Sequence, residues 1–298
     1  MDIVKNADMS LKREIDMKIA VVGGNGFIGK EFIRYASERG HQTMVIGSSV
    51  DAFSDSGGRQ ISELLSESDA VVFLAAKRPV SDFSLDDYCY NIRLAGAYFE
   101  YARKSGIKNV VITSSRSVYS SLSLPWKEKE WDCPLSLYGA SKQAIDGLAL
   151  HYNDLYGMKI KSLRLAQVLG MGERKGFLLN TLIDNAIMGR KQTVYGAGTG
   201  RRQYIYVKDV CDALLHSITE QADQAGVFNI GLDYNVSIIE LAQLINEVFE
   251  NKAGIEIFSD KPEDTKQYLM DVTKAEQELQ WKPSYDLRRA FTEIKENC

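Results

Sequence analysis

The stretch Met17-Lys18-Ile19-Ala20-Val21-Val22-Gly23-Gly24-Asn25-Gly26-Phe27-Ile28-Gly29 decides how the rest of the chain is read. Its first half is short, apolar and partly β-branched, and it stops at glycine, as a strand buried in a parallel sheet does. A helical pattern follows from Gly26 to Arg39 and closes at Gly40. A glycine-rich turn in that place suits a dinucleotide. One glycine makes the tight turn, another lets the backbone approach a pyrophosphate, and the last lets helix and strand pack closely. The helix N-terminus adds oriented N–H groups. The spacing is G-x-x-G-x-x-G, on Gly23, Gly26 and Gly29, and these with Phe27 and Ile28 are predicted to hold the cofactor.

The alternation continues outward from that loop. Strands are expected at Thr43–Ile46, Ala70–Leu74, Val110–Thr113 and Lys159–Arg164, and helices over 86–105 and 138–156. Gly47–Gly58, rich in Ser, Asp and Gly, reads mostly as loop. Strands and helices in this order imply an α/β fold, a Rossmann-type doubly wound parallel sheet with helices on both faces. Beyond residue 170 the pattern loosens, with helices expected at 178–188, 208–219, 237–249 and 271–279 and short strands near 204–206 and 227–230. The expected organisation is an N-terminal extension (1–16), a dinucleotide-binding domain (17–170) and a smaller, mainly substrate-binding α/β lobe (171–298). Segments at about 200–230 are expected to return to the core.

The ribose anchor is missing. A carboxylate is expected about 20 residues past the glycine loop, at the end of the second strand, to accept from the ribose 2′-hydroxyl. Gly47 stands there, followed by Ser48 and Ser49. NAD loses a selective contact, a 2′-phosphate loses its repulsion, and no Arg favours NADP. Cofactor choice stays open, with Ser48 a candidate contact.

Ser114 and Ser115 follow a strand, where a parallel sheet delivers side chains to its carboxyl-end crevice. Tyr138-Gly139-Ala140-Ser141-Lys142 then opens a helix, with Tyr138 and Lys142 one turn apart on one face. The same spacing recurs at Tyr204 and Lys208, on an expected strand Tyr204–Val207, where positions i and i+4 lie too far apart for a compact pair. A neighbouring ammonium and a cationic nicotinamide would favour the Tyr138 phenolate, a general base near neutral pH. Ser115 could hold the reacting oxygen.

Composition excludes several classes. The 298 residues carry 36 Lys+Arg against 40 Asp+Glu, net −4, so nothing marks a nucleic-acid or anionic-membrane surface. No apolar run approaches the ~18–20 residues of a membrane span. Charges interrupt the N-terminus where a signal peptide would need an apolar core. Cys89, Cys133, Cys211 and Cys298 are scattered, as are His41, His151 and His216, so no metal site is expected. A reducing, cytoplasmic setting is the simplest reading. The histidines, and Trp126, Trp131 and Trp281, read as structural or packing residues.

The chain resembles the extended short-chain dehydrogenase/reductase superfamily, specifically the NAD-dependent epimerase/dehydratase family of nucleotide-sugar enzymes, from about residue 17 to 291. Gly23–Gly29 matches the glycine motif, and Leu74-Ala75-Ala76 the cofactor-lining "HLAA" strand end. Asn91 falls at the family's core asparagine. Ser114–Tyr119 resembles "SSxxVYG", with Ser115 as its catalytic serine, and Tyr138–Lys142 matches "YGxSK". Leu163–Gly170 resembles "LRxxNVYG" with Gln167 in place of Asn, and Gly196–Val210 a motif whose arginine, here Arg202, binds the nucleotide diphosphate. Asn229-Ile230-Gly231 and the Ala275–Pro283 region match later motifs.

The resemblance implies Ser115, Tyr138 and Lys142 as catalytic residues and Leu74, Ala75, Ala76 and Asn91 at the cofactor, with Ser115, Gln167 and Arg202 at a nucleotide-sugar substrate. It also implies a homodimer through a four-helix contact that includes the Tyr-Lys helix. One departure narrows the reaction. The Asp-Glu pair that performs dehydration in 4,6-dehydratases is replaced by Arg116 and Ser117, which removes that acid and base. Hydride chemistry at C4 remains: a 4-epimerase with bound NAD, or a 4-keto reductase consuming NADPH. A non-catalytic dinucleotide sensor would not need Tyr138 and Lys142.

Overall fold

The computed structural model describes residues 16–79, 82–120, 123–131, 133–174, 176–219 and 224–298. All but the last residue of the expected N-terminal extension lies outside them. The first half of the chain alternates β1 (Lys18–Val22), α1 (Phe27–Ser37), β2 (Gln42–Ile46), α2 (Asp55–Ser66), β3 (Ala70–Phe73), α3 (Leu85–Lys104), β4 (Asn109–Ser115), α4 (Leu137–Tyr156) and β5 (Lys159–Leu165). Then come β6 (Gln167–Leu169), α5 (Leu178–Ile187), β7 (Gln192–Tyr195), β8 (Arg201–Arg202), β9 (Tyr204–Tyr206), α6 (Val207–Ile218), β10 (Gly226–Ile230), β11 (Val236–Ser237), α7 (Ile238–Val248), β12 (Ile255–Phe258), α8 (Thr273–Glu278) and α9 (Leu287–Glu296).

Six strands form one parallel sheet in the order β10-β5-β4-β3-β1-β2. Alternate residues of its strands feed two cores, as period-2 geometry requires. Ile19, Val21, Val72, Val111, Leu163 and Phe228 pack on one side, under α1 and α6. Ala20, Val22, Val71, Val110, Ile112 and Ile160 pack on the other, under α2, α3 and α4. Burial on both faces explains why these strands read as continuous apolar runs. The close approach of α1 to β1 depends on Gly29, where an added Cβ would lie 2.6 Å from the Gly23 carbonyl oxygen.

The first core also takes in Leu179, Leu182, Val194, Leu241, Ile245, Phe291 and Ile294, so α5, α7 and α9 are anchored to the Rossmann half by apolar contact. Three two-stranded pairings, β7 with β12, β6 with β9 and β8 with β11, complete this side.

Four local expectations change. Within the stretch Gly47–Gly58 expected mostly as loop, Asp55–Gly58 already belong to α2: Ser54 caps Gly57 N, and Ile61 and Leu65 bury one face despite the two glycines. Val207 opens α6 instead of ending a strand, because Asp209 in its first turn accepts from the backbone of Ser284 and Tyr285. The helix expected at 271–279 spans only Thr273–Glu278. Trp131 is 49% exposed and is not a packing residue, unlike Trp126 at 2%.

Candidate active site

At the carboxyl end of the sheet lies a cavity of about 640 Å³. Its lining includes Gly23, Gly26, Phe27, Ile28 and Gly29, with Ser48 from beyond β2 and Leu74, Ala75 and Ala76 from beyond β3. It also includes Ser115, Tyr138, Lys142 and Gln167. Two groups of residues far apart in sequence are thus brought to one space.

Each side chain is placed by local chemistry. Ser115 ends β4 in extended backbone, and its Oγ accepts from Ser117 N at 3.1 Å, capping the 3₁₀ turn Arg116–Val118. Ser136 caps α4 by accepting from Gly139 N at 3.1 Å. Gly139 lets α4 press against the turn, since an added Cβ would lie 2.0 Å from the Ser117 carbonyl oxygen. That contact brings Tyr138 beside Ser115. Phe83 meets the Tyr138 ring edge-on, with centroids 5.6 Å apart.

Lys142, one turn along α4, is 4% exposed and donates from Nζ to the Thr113 carbonyl at 2.8 Å. Burial lowers its pKa to about 8, opposed by the charge of Asp146. For Tyr138 the protein's own groups do not yet supply what the expected phenolate requires. Burial raises the phenol above its usual value, and the positive charge of Arg78 and a hydrogen bond with Ser115 pull only partly against it. The proton therefore stays on Tyr138 near neutrality until further positive charge enters the cavity.

Beneath α4 runs a buried polar network. Arg164 and Asp146, both fully buried, pair at 2.8 Å, and Ser162 Oγ donates to Asp146 at 2.6 Å. Arg164 also donates to the Tyr119 hydroxyl at 2.8 Å, and Tyr119 donates to Asn229 Oδ1 at 2.7 Å. This ties β5, α4 and β10 together directly below the Tyr-Lys helix.

Two residues expected at ligands, Asn91 and Arg202, are not among the cavity lining. Asn91 is 2% exposed and outside the cavity lining; it accepts from Lys77 N at 2.8 Å and donates to Lys77 O at 3.0 Å. These bonds fix the backbone just beyond Leu74–Ala76. Arg202 is also outside the lining, with its fork on Asp264 Oδ2 at 2.6 Å and the Lys266 carbonyl at 2.7 Å. Conversely, the lining includes Arg78, Arg116, Glu173 and Arg174, to which sequence reasoning gave no ligand role. Arg116 carried a signal, a cation beside the candidate serine. Glu173, three residues past Gly170, carried none.

The glycine loop fits a dinucleotide. Whereas α2, α3 and α4 are capped by Ser54, Ser84 and Ser136, the Gly26 N-cap of α1 offers no side-chain bond and its first turn has no acidic residue. Its N–H groups are left for an anion at the cavity wall. No group of three or more His, Cys, Asp or Glu among the described residues is placed to hold a metal.

The model of the NAD dependent epimerase/dehydratase family matches residues 19–231. The chain belongs to that family. It is similar to an uncharacterized protein of Methanocaldococcus jannaschii, 32% identical over 195 residues, which span 65% of this chain and 60% of that one. It is also similar to UDP-glucuronic acid decarboxylase 5 of Arabidopsis thaliana, 26% identical across 95% of this chain and 89% of the relative. Among solved structures, the UDP-N-acetylglucosamine 4-epimerase of Bacillus cereus superposes with a TM-score of 0.85 at 29% identity, covering 95% of this chain and 96% of that one. No helix among the described residues is long and apolar enough to cross a membrane.

Proposed function

We propose that this family member is a nucleotide-sugar 4-epimerase working with NAD. The observation that carries the reading is the sharing of one cavity by the glycine loop and the Ser115–Tyr138–Lys142 group. NAD, when bound, supplies a reversible hydride acceptor. Tyr138 takes the proton from the sugar hydroxyl as its carbon is oxidised, and returns it when the ketone is reduced on the opposite face. Ser115 hydrogen-bonds the reacting oxygen and Tyr138 together. Lys142, fixed by the Thr113 carbonyl, adds the positive charge that burial alone denies the phenol. Gln167, at the cavity wall, is a further sugar contact. We also place Arg202 at the diphosphate, on the strength of the family motif.

With Arg116 and Ser117 where a dehydratase has its acid and base, water loss finds no groups at those two positions. A second reading, a reductase consuming NADPH, is favoured by Gly47 and Ser48, which put no carboxylate against a 2′-phosphate. Denaturing the purified protein and identifying the dinucleotide it releases tests both. Released NAD, with conversion of UDP-N-acetylglucosamine to its 4-epimer and no net dinucleotide use, is the expected result. An empty site that takes NADPH and consumes it stoichiometrically would replace this reading with the second.

A further inference from the structure

We infer that Arg116 reads a carboxylate on the sugar, so that the site favours a nucleotide-linked hexuronic acid over the corresponding neutral hexose. The inference deepens the nucleotide-sugar reading and rests on it.

Arg116 follows Ser115 directly and lines the same cavity wall. Its guanidinium lies over the Tyr268 ring, 4.1 Å from the ring centre. Arg202 stacks over the same ring at 4.7 Å, so two cations share one aromatic partner. They differ in how their charge is answered. Arg202 has Asp264, Arg201 has Glu240 and Arg164 has Asp146. Among the described residues no carboxylate forms an ion pair with Arg116. Burial, then the like charge of Arg202, press its guanidinium toward losing its proton, while Tyr268 opposes. A half-buried cation without a carboxylate partner on a cavity wall is stabilised by an incoming anion, and a guanidinium fork matches a carboxylate in two parallel bonds.

The position selects among the anions a nucleotide-sugar complex would bring. The cofactor's pyrophosphate belongs at the Gly23–Gly29 loop, whereas Arg116 is one residue from the serine assigned to the reacting oxygen. The remaining lining charges favour an acidic sugar as well. Lys77, Arg78, Lys142 and Arg174 are basic, and Glu173 is the one acidic residue among the described lining. Burial lifts the Glu173 carboxyl to about 7, against the pull of Arg78, which lessens its repulsion of a second carboxylate near neutrality.

The test is calorimetric titration of the protein, with its dinucleotide in place, with UDP-glucuronate, UDP-glucose and UDP. The expected result is at least about tenfold tighter binding of the uronate than of glucose, the scale of a charge-assisted hydrogen-bonded pair. Arg116→Gln should erase that preference, Arg116→Lys should keep part of it, and affinity for UDP should stay within about twofold in both. Equal affinity for the two sugars in the unmodified protein would overturn the inference, even if Arg116→Gln failed to fold. So would an Arg116→Gln protein that loses UDP affinity as strongly as uronate affinity, since Arg116 would then grip the diphosphate. Formation of C4 epimers without uronate preference would sink only the role of Arg116. Uronate preference without epimerisation would sink only the epimerase reading.

Discussion

Two Tyr-x-x-x-Lys spacings occur in this chain, and the fold treats them in opposite ways. Tyr138 and Lys142 share a face of α4 at the sheet's carboxyl end, where Lys142 is buried without a carboxylate salt bridge and its Nζ lies 5.9 Å from the Tyr138 ring centre. Tyr204 is buried in β9, and Lys208 belongs to α6, where its ammonium pairs with Glu293. In the second pair an ordinary ion pair satisfies the lysine. In the first, the lysine's charge is held under strain, with a pKa near 8. Chemistry here comes from what the surrounding elements withhold from a side chain more than from the spacing itself.

The largest expected effect separates the two tyrosine–lysine pairs by turnover. Tyr138→Phe should lower the rate about 10²–10⁴-fold, the usual contribution of a positioned acid–base group, while bound dinucleotide and melting temperature stay unchanged. Steady-state kinetics with dinucleotide content measured in parallel would show it, and undiminished turnover would dissolve the distinction between the pairs.

Next comes the support beneath α4. Asp146→Asn leaves Arg164 as an uncompensated buried charge and should cost about 3–5 kcal/mol in denaturant unfolding. It also removes the one charge that holds the Lys142 pKa up, so that pKa should fall further.

Lys142→Met should lose activity yet gain stability. Because the folded-state pKa of Lys142 lies below its unfolded value, the unfolded chain binds the extra proton between the two, and the burial cost is fully present below pH 8. The variant should therefore be more stable by about 1–3 kcal/mol at pH 7, with the gain shrinking as pH rises from 8 through the ordinary lysine range. A gain independent of pH would mean that its source is packing. Lys208→Met gives the smallest effect, within about 1 kcal/mol, as for other partly exposed ion pairs, with turnover unaffected.

Much of the Rossmann half was legible because its strands are buried on both faces. Runs such as Ile19–Val22 and Ala70–Phe73 have no polar alternation to confuse with a helix, and the glycine loop punctuates them. The stretch after Gly47 was not, since Gly57 and Gly58 lie inside α2 and only the Ser54 cap and the Ile61–Leu65 face mark a helix. The short strands β6, β7, β8, β11 and β12 have two to four residues each and exist through their distant partners, which local pattern does not encode.

Site residues divide in the same way. Ser115, Tyr138 and Lys142 sit in local motifs and meet as those motifs imply. The placement of Asn91 and Arg202 was decided by the Lys77 backbone and by Asp264, 14 and 62 residues away. The burial that raises the Tyr138 phenol in the protein alone was not legible, because sequence names the charges near it and not its surroundings.

The most direct measurement follows the hydrogen at C4. UDP-glucose, UDP-N-acetylglucosamine and UDP-glucuronate, each carrying deuterium at C4, are incubated with the protein and their products read by NMR. The expected result is a C4 epimer of at least one of them, with deuterium retained at C4 and no net change in dinucleotide. Washout of that deuterium into solvent, or no epimer from any of the three, would contradict it.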